Sequence, residues 1–405
     1  MRIIQVNKFH YLRGGAEKYY LTVSKALEKN GHQVANFSMK HPRNQESSWS
    51  KYFISRLSFS RLRLRDIIKI PRRMIYSREA RVNFKKLVED FKPDIVHLHN
   101  IYHHISPSIL PVAKKAGAKI VMTLHDYKLV CPNYQMYSRG RTIWDACGSR
   151  FYRCAIKKYF KNSYIQSFLV SFEYLIHHYF LNIYDKNIDL YIAPSHFMKK
   201  VCVRFGISEE KIEVLHNFIE DDEIVKEAKP GDYWLYFGRL SNEKGINDLI
   251  TAYGKTEQNT KLKIVGEGPE KDNLKKMVKE ANLEDKIEFT GVLYDNDLKQ
   301  VIAGSQAVIM PSVWPENMPF SLIEALGNGK PVIAAKTGGL PELIEPKKNG
   351  LLFKAGDTDD LANKLREFEK LDKQQLSNNA LESARELGLK DHMKKLESLY
   401  RGHIL

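Results

Sequence analysis

The sequence contains no uninterrupted apolar run that approaches the length of about 20 residues needed for a helix to cross a bilayer. It therefore predicts no membrane span. No apolar signal segment precedes the first predicted strand, so we expect a cytoplasmic protein. Apolar residues still make up 43% of the 405 positions, which is typical of packed domains and not of a disordered chain. At this length two domains are expected.

Cysteine is scarce, with only Cys131, Cys147, Cys154 and Cys202. No C-x-x-C pair with the spacing of a zinc site is present. We interpret the four residues as reduced thiols of a cytoplasmic enzyme. A metal site formed by Cys131, Cys147 and Cys154 is the alternative, but we predict no metal.

Acidic residues are few in the first half of the chain. Residues 1–220 contain 37 Lys and Arg against 17 Asp and Glu, whereas the remainder contains 27 against 31. This asymmetry predicts an anionic surface or ligand near the first half. Nucleic acid and anionic lipid both fit on charge alone.

Strand patterns alternate with helical patterns twice along the chain. The predicted strands are Arg2–Val6, Gln33–Ser38, Asp94–Leu98, Lys119–Leu124, Asp189–Ala193, Lys211–Leu215, Tyr233–Phe237, Lys261–Val265, Lys286–Thr290, Gln306–Met310, Pro331–Ala335 and Leu351–Phe353. This alternation predicts an α/β fold with two parallel-sheet, Rossmann-like domains. The polar stretch 220–229, followed by a Pro-Gly turn, indicates the boundary. We predict domains at 1–220 and 221–385, and a C-terminal helix within 386–405 that packs back on the first domain.

Two glycine-rich turns follow predicted strands. Gly14 and Gly15 open a helix after the first strand, and Gly266 and Gly268 follow a strand in the second half. Glycines allow backbone N–H groups to approach a ligand, and a helix N-terminus adds partial positive charge, so a phosphate could bind there. A tight turn that binds nothing is the alternative, because the full G-x-G-x-x-G spacing is absent.

Charged residues follow other predicted strands. Arg239 and Lys244 could neutralise a diphosphate, although they could also be ordinary surface cations. Glu316 and Glu324 bracket a loop and the start of a helix, and carboxylates accept hydrogen bonds from sugar or ribose hydroxyls. His125 ends a predicted strand, at the sheet edge where α/β proteins bind ligands.

The stretch from Pro311 to Glu342, with Phe-Gly-Arg-Leu and Glu-Lys-Gly upstream, resembles the donor-binding domain of the GT-B glycosyltransferases of family four. Motifs in the first half follow the family's order, so the resemblance covers essentially the whole chain. It implies a GT-B fold, in which two Rossmann-like domains face a cleft, and a retaining, metal-independent sugar transfer from a nucleotide-diphosphate donor. Glu316-Asn317-Met318-Pro319-Phe320 departs from the Glu-Gly-Phe-Gly of many members.

The resemblance also implies a role for each matching residue. Arg239 and Lys244 would bind the donor diphosphate, Glu324 the ribose, and Glu316 the transferred sugar, which His125 would also contact. The remaining donor-binding residues would be Gly14 and Gly15 at the phosphate, Asn317, Met318, Pro319 and Phe320 through the loop backbone, and Gly266, Gly268 and Val292 near the base. We predict Glu316, Lys244, Arg239 and His125 as the catalytic set. No cofactor is expected, since the nucleotide sugar is a co-substrate.

Residues 51–86 contain twelve Lys or Arg and two acids, interleaved with apolar residues such as Leu57, Phe59 and Leu62. We favour an anionic membrane surface as their partner, which would place the protein on the inner face of the cell membrane. A solvated helical pair is the alternative. Nucleic acid is not expected, because no nucleic-acid-binding motif accompanies the segment. Residues 151–184 could extend the same surface.

Together these features predict a glycosyltransferase that moves a sugar to a lipid-linked saccharide in surface polysaccharide biosynthesis. Two alternatives remain: a soluble synthase with a small acceptor, and a non-catalytic protein that binds nucleotide sugars.

Overall fold

The computed structural model describes residues 1–56, 64–256 and 259–402. Its strands are β1 (Arg2–Val6), β2 (Gln33–Phe37), β3 (Ile95–Leu98), β4 (Lys119–Thr123), β5 (Tyr137–Ser138), β6 (Arg141–Thr142), β7 (Leu190–Ala193), β8 (Ile212–Val214), β9 (Tyr233–Phe237), β10 (Leu262–Val265), β11 (Ile287–Gly291), β12 (Ser305–Met310), β13 (Val332–Ala335) and β14 (Gly350–Phe353). All twelve predicted strands are confirmed, each end within one residue. The short hairpin β5–β6 was not predicted.

The strands form two six-stranded parallel sheets, which confirms the predicted α/β fold. The first sheet has the order β2-β1-β3-β4-β7-β8, and the second has the order β11-β10-β9-β12-β13-β14. Parallel sheets are covered on both faces, so their strands are largely apolar and their polar residues are buried as well. Every residue of β3, β12 and β13 is accordingly buried.

Crossover helices cover the sheets. They are α1 (Gly15–Lys29), α2 (Leu64–Ile75), α3 (Arg78–Phe91), α4 (Leu110–Lys115), α5 (Tyr152–Ile156), α6 (Tyr164–Leu175), α7 (Ile183–Asn187), α8 (His196–Arg204), α9 (Ile246–Gly254), α10 (Lys271–Glu280), α11 (Asp295–Ala303), α12 (Phe320–Gly327), α13 (Thr358–Phe368), α14 (Lys373–Arg385) and α15 (Leu389–Gly402). A π-helical turn, Ile176–Phe180, continues α6. Within the described residues, no helix is long and apolar enough to cross a membrane.

The last helix, α15, lies against the first sheet's helix α1. Met393, Leu396 and Tyr400 share a buried core with residues of β1 and α1. The Tyr400 hydroxyl lies 2.6 Å from His97 Nδ1 on β3, which ties the end of the chain to the first sheet. The predicted domain limits at 220 and 385 remain predictions.

The basic segment 51–86 is only partly described. Leu57, Phe59 and Leu62 lie outside the described residues. In α2, Ile70 and Met74 are buried, and Arg73 donates to the carbonyl oxygen of His104. This end of the segment therefore packs against the first domain.

Candidate active site

The centre of the candidate site is a close ion pair. Lys244 Nζ lies 2.6 Å from Glu316 Oε1, and the Ser312 hydroxyl donates to the same oxygen at 2.6 Å. The Glu316 side chain is 4% exposed and that of Lys244 is 22% exposed. Lys244 Nζ also lies 5.5 Å from the centre of the Trp314 ring. The structure thus brings together two of the four predicted catalytic residues.

Glycines at two turns make this pairing possible. Gly245 has φ +66°, and a Cβ there would lie 2.1 Å from the Pro311 carbonyl oxygen. Gly338 has φ +60°, and its Cβ would lie 1.9 Å from the Glu316 carbonyl oxygen. Only glycine allows such backbone approach at positive φ. The two turns therefore press the Lys244 loop and the Glu316 loop against the end of β12.

The other predicted donor-binding residues of the second domain lie on loops that follow β9, β10 and β11. Gly266 and Gly268 pack against the carbonyl oxygens of Gly238 and Leu240, where any Cβ would clash. Val292 is 41% exposed beside them. Arg239 is also exposed and forms no ion pair with any described residue. Its guanidinium is therefore available to an anion, but the structure does not bring it into contact with Glu316.

Glu324, on α12, forms an ion pair that was not predicted. Lys18 Nζ from α1 lies 2.7 Å from Glu324 Oε1 and 3.4 Å from Glu223 Oε2. Burial lowers the pKa of Lys18, but the two carboxylates outweigh burial, so the pKa is raised. A ligand that uses Glu324 must displace or share Lys18. The sequence signal that could have pointed to Lys18 is its position in Gly-Gly-Ala-Glu-Lys, one turn into the helix that follows the glycine pair.

The glycine pair of the first domain faces the second domain directly. Helix α1 begins at Gly15, and a Cβ on Gly15 would lie 3.2 Å from the Phe320 ring. Phe320 begins α12, and Pro319 is its N-cap residue. Two helix N-termini therefore approach each other across the cleft, and both favour negative charge.

His125 lies on the first domain's wall, after β4. Its Nε2 is 3.0 Å from His99 Nδ1, and its ring meets Tyr19 edge-on at 5.2 Å. Burial, followed by the charge of Lys8, lowers the pKa of His125 to about 3. The imidazole is therefore neutral near pH 7 and can donate or accept a hydrogen bond. Sequence reasoning missed Lys8 and the neighbouring Asp126.

The loop after Glu316 joins the two domains. Asn317 Nδ2 donates to the Leu124 carbonyl oxygen at 2.7 Å, and the Ser195 hydroxyl donates to Asn317 Oδ1 at 3.2 Å. Asn217 Nδ2 donates to the Met318 carbonyl oxygen at 2.6 Å. Asn317, where many members of the resembled family have glycine, therefore uses its amide to hold the cleft together.

Two groups could have held a metal. Cys131, Cys147 and Cys154 are free and buried in the first domain's core, and they do not bring three ligand atoms together. Within the described residues, His196, His216 and Glu342 form one group whose ligand atoms lie within 4.8 Å of one another. Both Glu342 oxygens already accept backbone N–H groups at the start of α8. Neither group includes a predicted catalytic residue.

Both halves of the chain match models of known glycosyltransferase families. Residues 13–223 match the model described as Glycosyltransferase Family 4, and residues 217–387 match the model described as Glycosyl transferases group 1. The chain belongs to glycosyltransferase family 4. The predicted membership and the predicted enzyme class, a glycosyltransferase, are thereby confirmed.

Curated relatives differ in the fraction of this chain that they match. An uncharacterized 42.6 kDa protein of the cps region of Klebsiella pneumoniae is 26% identical and covers 85% of this chain and 87% of its own length. The lipopolysaccharide 1,6-galactosyltransferase of Escherichia coli K12 is 29% identical, over 42% of this chain and 49% of its own. Several other curated relatives are likewise matched over about half of their length.

Solved structures support the fold across the whole chain. The Anabaena protein HepE in complex with UDP has a TM-score of 0.67 at 18% identity and covers 99% of this chain and 100% of its own. Sucrose-phosphate synthase from Thermosynechococcus elongatus has a TM-score of 0.70 at 20% identity, over 99% and 98%. These likenesses establish the GT-B arrangement of the two sheets.

Proposed function

We propose that this protein is a retaining glycosyltransferase that moves a sugar from a nucleoside-diphosphate donor to a lipid-linked saccharide during surface polysaccharide synthesis. One observation carries the proposal: the pairing of Lys244 with Glu316 at 2.6 Å, within a cleft where two helix N-termini meet. Relatives named for lipopolysaccharide, colanic acid and amylovoran synthesis support the polysaccharide assignment.

The proposed chemistry follows from charge. The bond between the anomeric carbon and the donor's phosphate oxygen breaks, and a bond to an acceptor hydroxyl oxygen forms on the same face. The acceptor's proton passes to the departing phosphate oxygen. Negative charge grows on the diphosphate, where Lys244, Arg239 and the N-termini of α1 and α12 can stabilise it without a metal.

The carboxylates and His125 take the remaining proposed roles. Glu324 accepts hydrogen bonds from the ribose after exchanging Lys18. Glu316 accepts hydrogen bonds from the transferred sugar while it holds Lys244 in place. Neutral His125 contacts that sugar from the first domain, and the loops with Gly266, Gly268 and Val292 surround the base.

Donor turnover tests these roles. Purified protein is assayed with uridine, guanosine and adenosine diphosphate sugars for release of the nucleoside diphosphate. Lys244→Ala should lower kcat by about 10²–10³-fold, as loss of one group that stabilises developing charge does. Glu316→Gln, which keeps the shape of the side chain, should lower kcat as well.

Lys275→Ala, on the exposed face of α10, is the matched control and should leave turnover unchanged. If Lys244→Ala and Glu316→Gln turn over as the wild type does, the site assignment is wrong. Binding of a nucleotide sugar with no turnover, in the presence of any acceptor, would instead favour a non-catalytic binding protein.

A lipid-linked acceptor is supported by an exposed apolar surface on the first domain. Of the fourteen exposed large apolar side chains in the described residues, nine fall between positions 152 and 181. This surface, here called the aromatic face, comprises Tyr152, Ile156, Tyr164, Ile165, Phe168, Phe172, Tyr179, Phe180 and Leu181. Groups of exposed large apolar side chains, such as the stacked rings of Phe168 and Phe172, are typical of interaction sites.

Cations surround the aromatic face. Lys158 Nζ lies 3.9 Å from the centre of the Tyr164 ring, and Arg139, Arg141 and Lys157 line a hollow next to it. Apolar side chains with interleaved cations suit a helix that lies at an anionic lipid interface. We therefore place the membrane contact mainly on this face, because most described apolar side chains of residues 51–86 are buried or half-buried, and only Val82 among the large ones is exposed.

Vesicle co-sedimentation tests the membrane contact. Wild-type protein should bind vesicles of phosphatidylcholine with phosphatidylglycerol more strongly than vesicles of phosphatidylcholine alone, because cations near an anionic surface contribute on the order of 1 kcal/mol each. Replacing Ile165 and Phe168 with Glu should abolish binding. Tyr294→Glu, an exposed aromatic of the second domain, should not. Equal binding to both kinds of vesicle, or binding to neither, contradicts the proposed membrane contact. A soluble synthase would then be the better-supported function.

A further inference from the structure

A polar groove runs between the β5–β6 hairpin of the first domain and the start of α9 in the second. Its volume is about 830 Å³, which falls in the range of pockets that enclose small-molecule ligands. Tyr134, Tyr137 and Phe160 line one wall, and Asn242, Asn247 and Asp248 line the other. None of these six residues was predicted from the sequence to contact a ligand.

Polar groups in the groove remain available to a ligand. Among the described residues, the hydroxyls of Tyr134 and Tyr137 and the side-chain amide of Asn242 have no hydrogen-bond partner. Asp248 forms no ion pair with a described residue, and burial raises its pKa. Asn247 Nδ2 donates to Asp248 Oδ1 at 3.1 Å, which orients that carboxylate. Together these groups offer donors and acceptors of the kind that match vicinal hydroxyls.

The opposite wall supplies aromatic surface. The Tyr134 and Phe160 rings meet edge-on with centroids 5.9 Å apart, and Tyr159 lies beside them. Aromatic rings offer broad, rigid contact area, and tyrosine adds a polar end. A saccharide presents both kinds of surface: apolar C–H faces and a rim of hydroxyls. An apolar ligand or a nucleobase would leave most of the polar groups of this groove unpaired, at a cost in binding free energy.

The groove opens next to the reaction centre. Val313, which lines it, precedes the Trp314 ring that lies beneath Lys244. Asn242 lies two residues before Lys244 on the same short turn. Gln135 Nε2 donates across the domains to Glu243 Oε1 at 3.5 Å, so a hydrogen bond connects the two walls. A ligand in the groove would therefore lie beside the loops that carry Lys244 and Glu316.

We propose that this groove binds the saccharide of the acceptor, with Asn242 and Asp248 hydrogen-bonded to its hydroxyls and Tyr134 and Phe160 against its ring faces. This proposal rests on the proposed function, because an acceptor subsite has meaning only for a transferase. It adds the place where the acceptor's saccharide binds and the residues that contact it. It also makes the hairpin a determinant of acceptor specificity.

Saturation-transfer difference NMR on the full-length protein tests the groove. The probes are maltose, cellobiose, lactose and N,N′-diacetylchitobiose, each measured with UDP present. At least one should show saturation transfer to its ring protons. Asn242→Ala with Asp248→Ala should weaken its binding by about tenfold or more, since hydrogen bonds to a charged group are lost. Tyr134→Ala, which removes one ring from the opposite wall, should weaken it as well.

Asn273→Ala, a change to an exposed amide on α10, is the matched control and should bind disaccharide as the wild type does. Each variant must keep its circular dichroism and its affinity for UDP, which shows that the fold and the donor site are intact; Asp248→Asn serves where the double change does not fold. Wild-type protein that binds UDP but none of the disaccharides overturns the groove proposal. Unchanged disaccharide binding in the groove variants also overturns it. Failure to bind any nucleotide or nucleotide sugar would instead count against the proposed function.

Discussion

Lys128 and Glu173 link the loop after β4 to α6, within the segment between β4 and β7. Lys128 Nζ lies 2.8 Å from Glu173 Oε2, and the two side chains are 4% and 2% exposed. Burial raises the pKa of Glu173, but Lys128 and His103 outweigh burial, so its pKa is lowered. The carboxylate is therefore charged, and it keeps α6, which carries the aromatic face, in position.

Glu173→Gln should lower the free energy of unfolding by about 3–5 kcal/mol, because it leaves Lys128 buried and unpaired. Urea titration followed by circular dichroism measures this loss. The double change Lys128→Met with Glu173→Leu should recover most of it, since neither residue then carries a charge. A double variant that is as unstable as the single one would show that packing, and not the ion pair, explains the loss.

Individual residues also show where sequence reasoning stops. Lys244 and Glu316 could be placed at the ends of strands because strand patterns and motifs indicate where each strand ends. Lys18 could not be paired with Glu324, because the two positions are 306 residues apart and no periodic pattern connects them. The six groove residues were missed for the same reason: they come from separate elements that only the domain arrangement brings together.

At the scale of elements, hydrophobic patterning predicts the strands and helices that are long and buried. The twelve sheet strands are short segments rich in apolar residues, and each was found. Strands β5 and β6 have two residues each, which is too short for any alternation to be seen. The π-helical turn after α6 has no sequence signature of its own. The elements that were missed belong to the same region of the first domain, which forms the groove and the aromatic face.

The turn after β13 should be indispensable to the Glu316 loop. Gly338→Ala would place a Cβ 1.9 Å from the Glu316 carbonyl oxygen at positive φ, so the loop must move. Because a displacement of about 1 Å can cost on the order of 100-fold in rate, transfer should fall by about that factor. Steady-state turnover of the donor, with unfolding followed in parallel, measures the effect.

Gly117→Ala provides the matched control, because Gly117 also has positive φ but its added Cβ would have no atom of the described part of the chain within 4 Å. It should destabilise the protein by about 1 kcal/mol through backbone strain alone and leave turnover unchanged. Equal losses of turnover in the two variants would show that strain, and not contact with the Glu316 loop, is responsible.

At the scale of the whole molecule, buried histidines connect the first sheet to α15. His97 on β3 lies 2.6 Å from the Tyr400 hydroxyl and 2.7 Å from Thr123 Oγ1. His392 Nε2 on α15 lies 3.0 Å from the Tyr19 hydroxyl, and its Nδ1 lies 2.9 Å from the His216 carbonyl oxygen. Burial lowers the pKa of both histidines to about 3. Both are therefore neutral in the folded protein near pH 7.

These histidines should make the fold sensitive to acid. An unfolded histidine has a pKa of about 6.5, so between pH 6.5 and about 3 the unfolded chain binds protons that the folded chain does not. The free energy of unfolding should therefore decrease as the pH is lowered through this window, by up to about 1.4 kcal/mol per pH unit for each histidine. Urea titrations at pH 7.5, 6.0 and 5.0 measure the slope. His392→Gln keeps hydrogen-bonding groups but does not titrate. It should lower the slope of unfolding free energy against pH by the amount that corresponds to about one bound proton. An unchanged slope would mean that His392 is protonated equally in the folded and unfolded states.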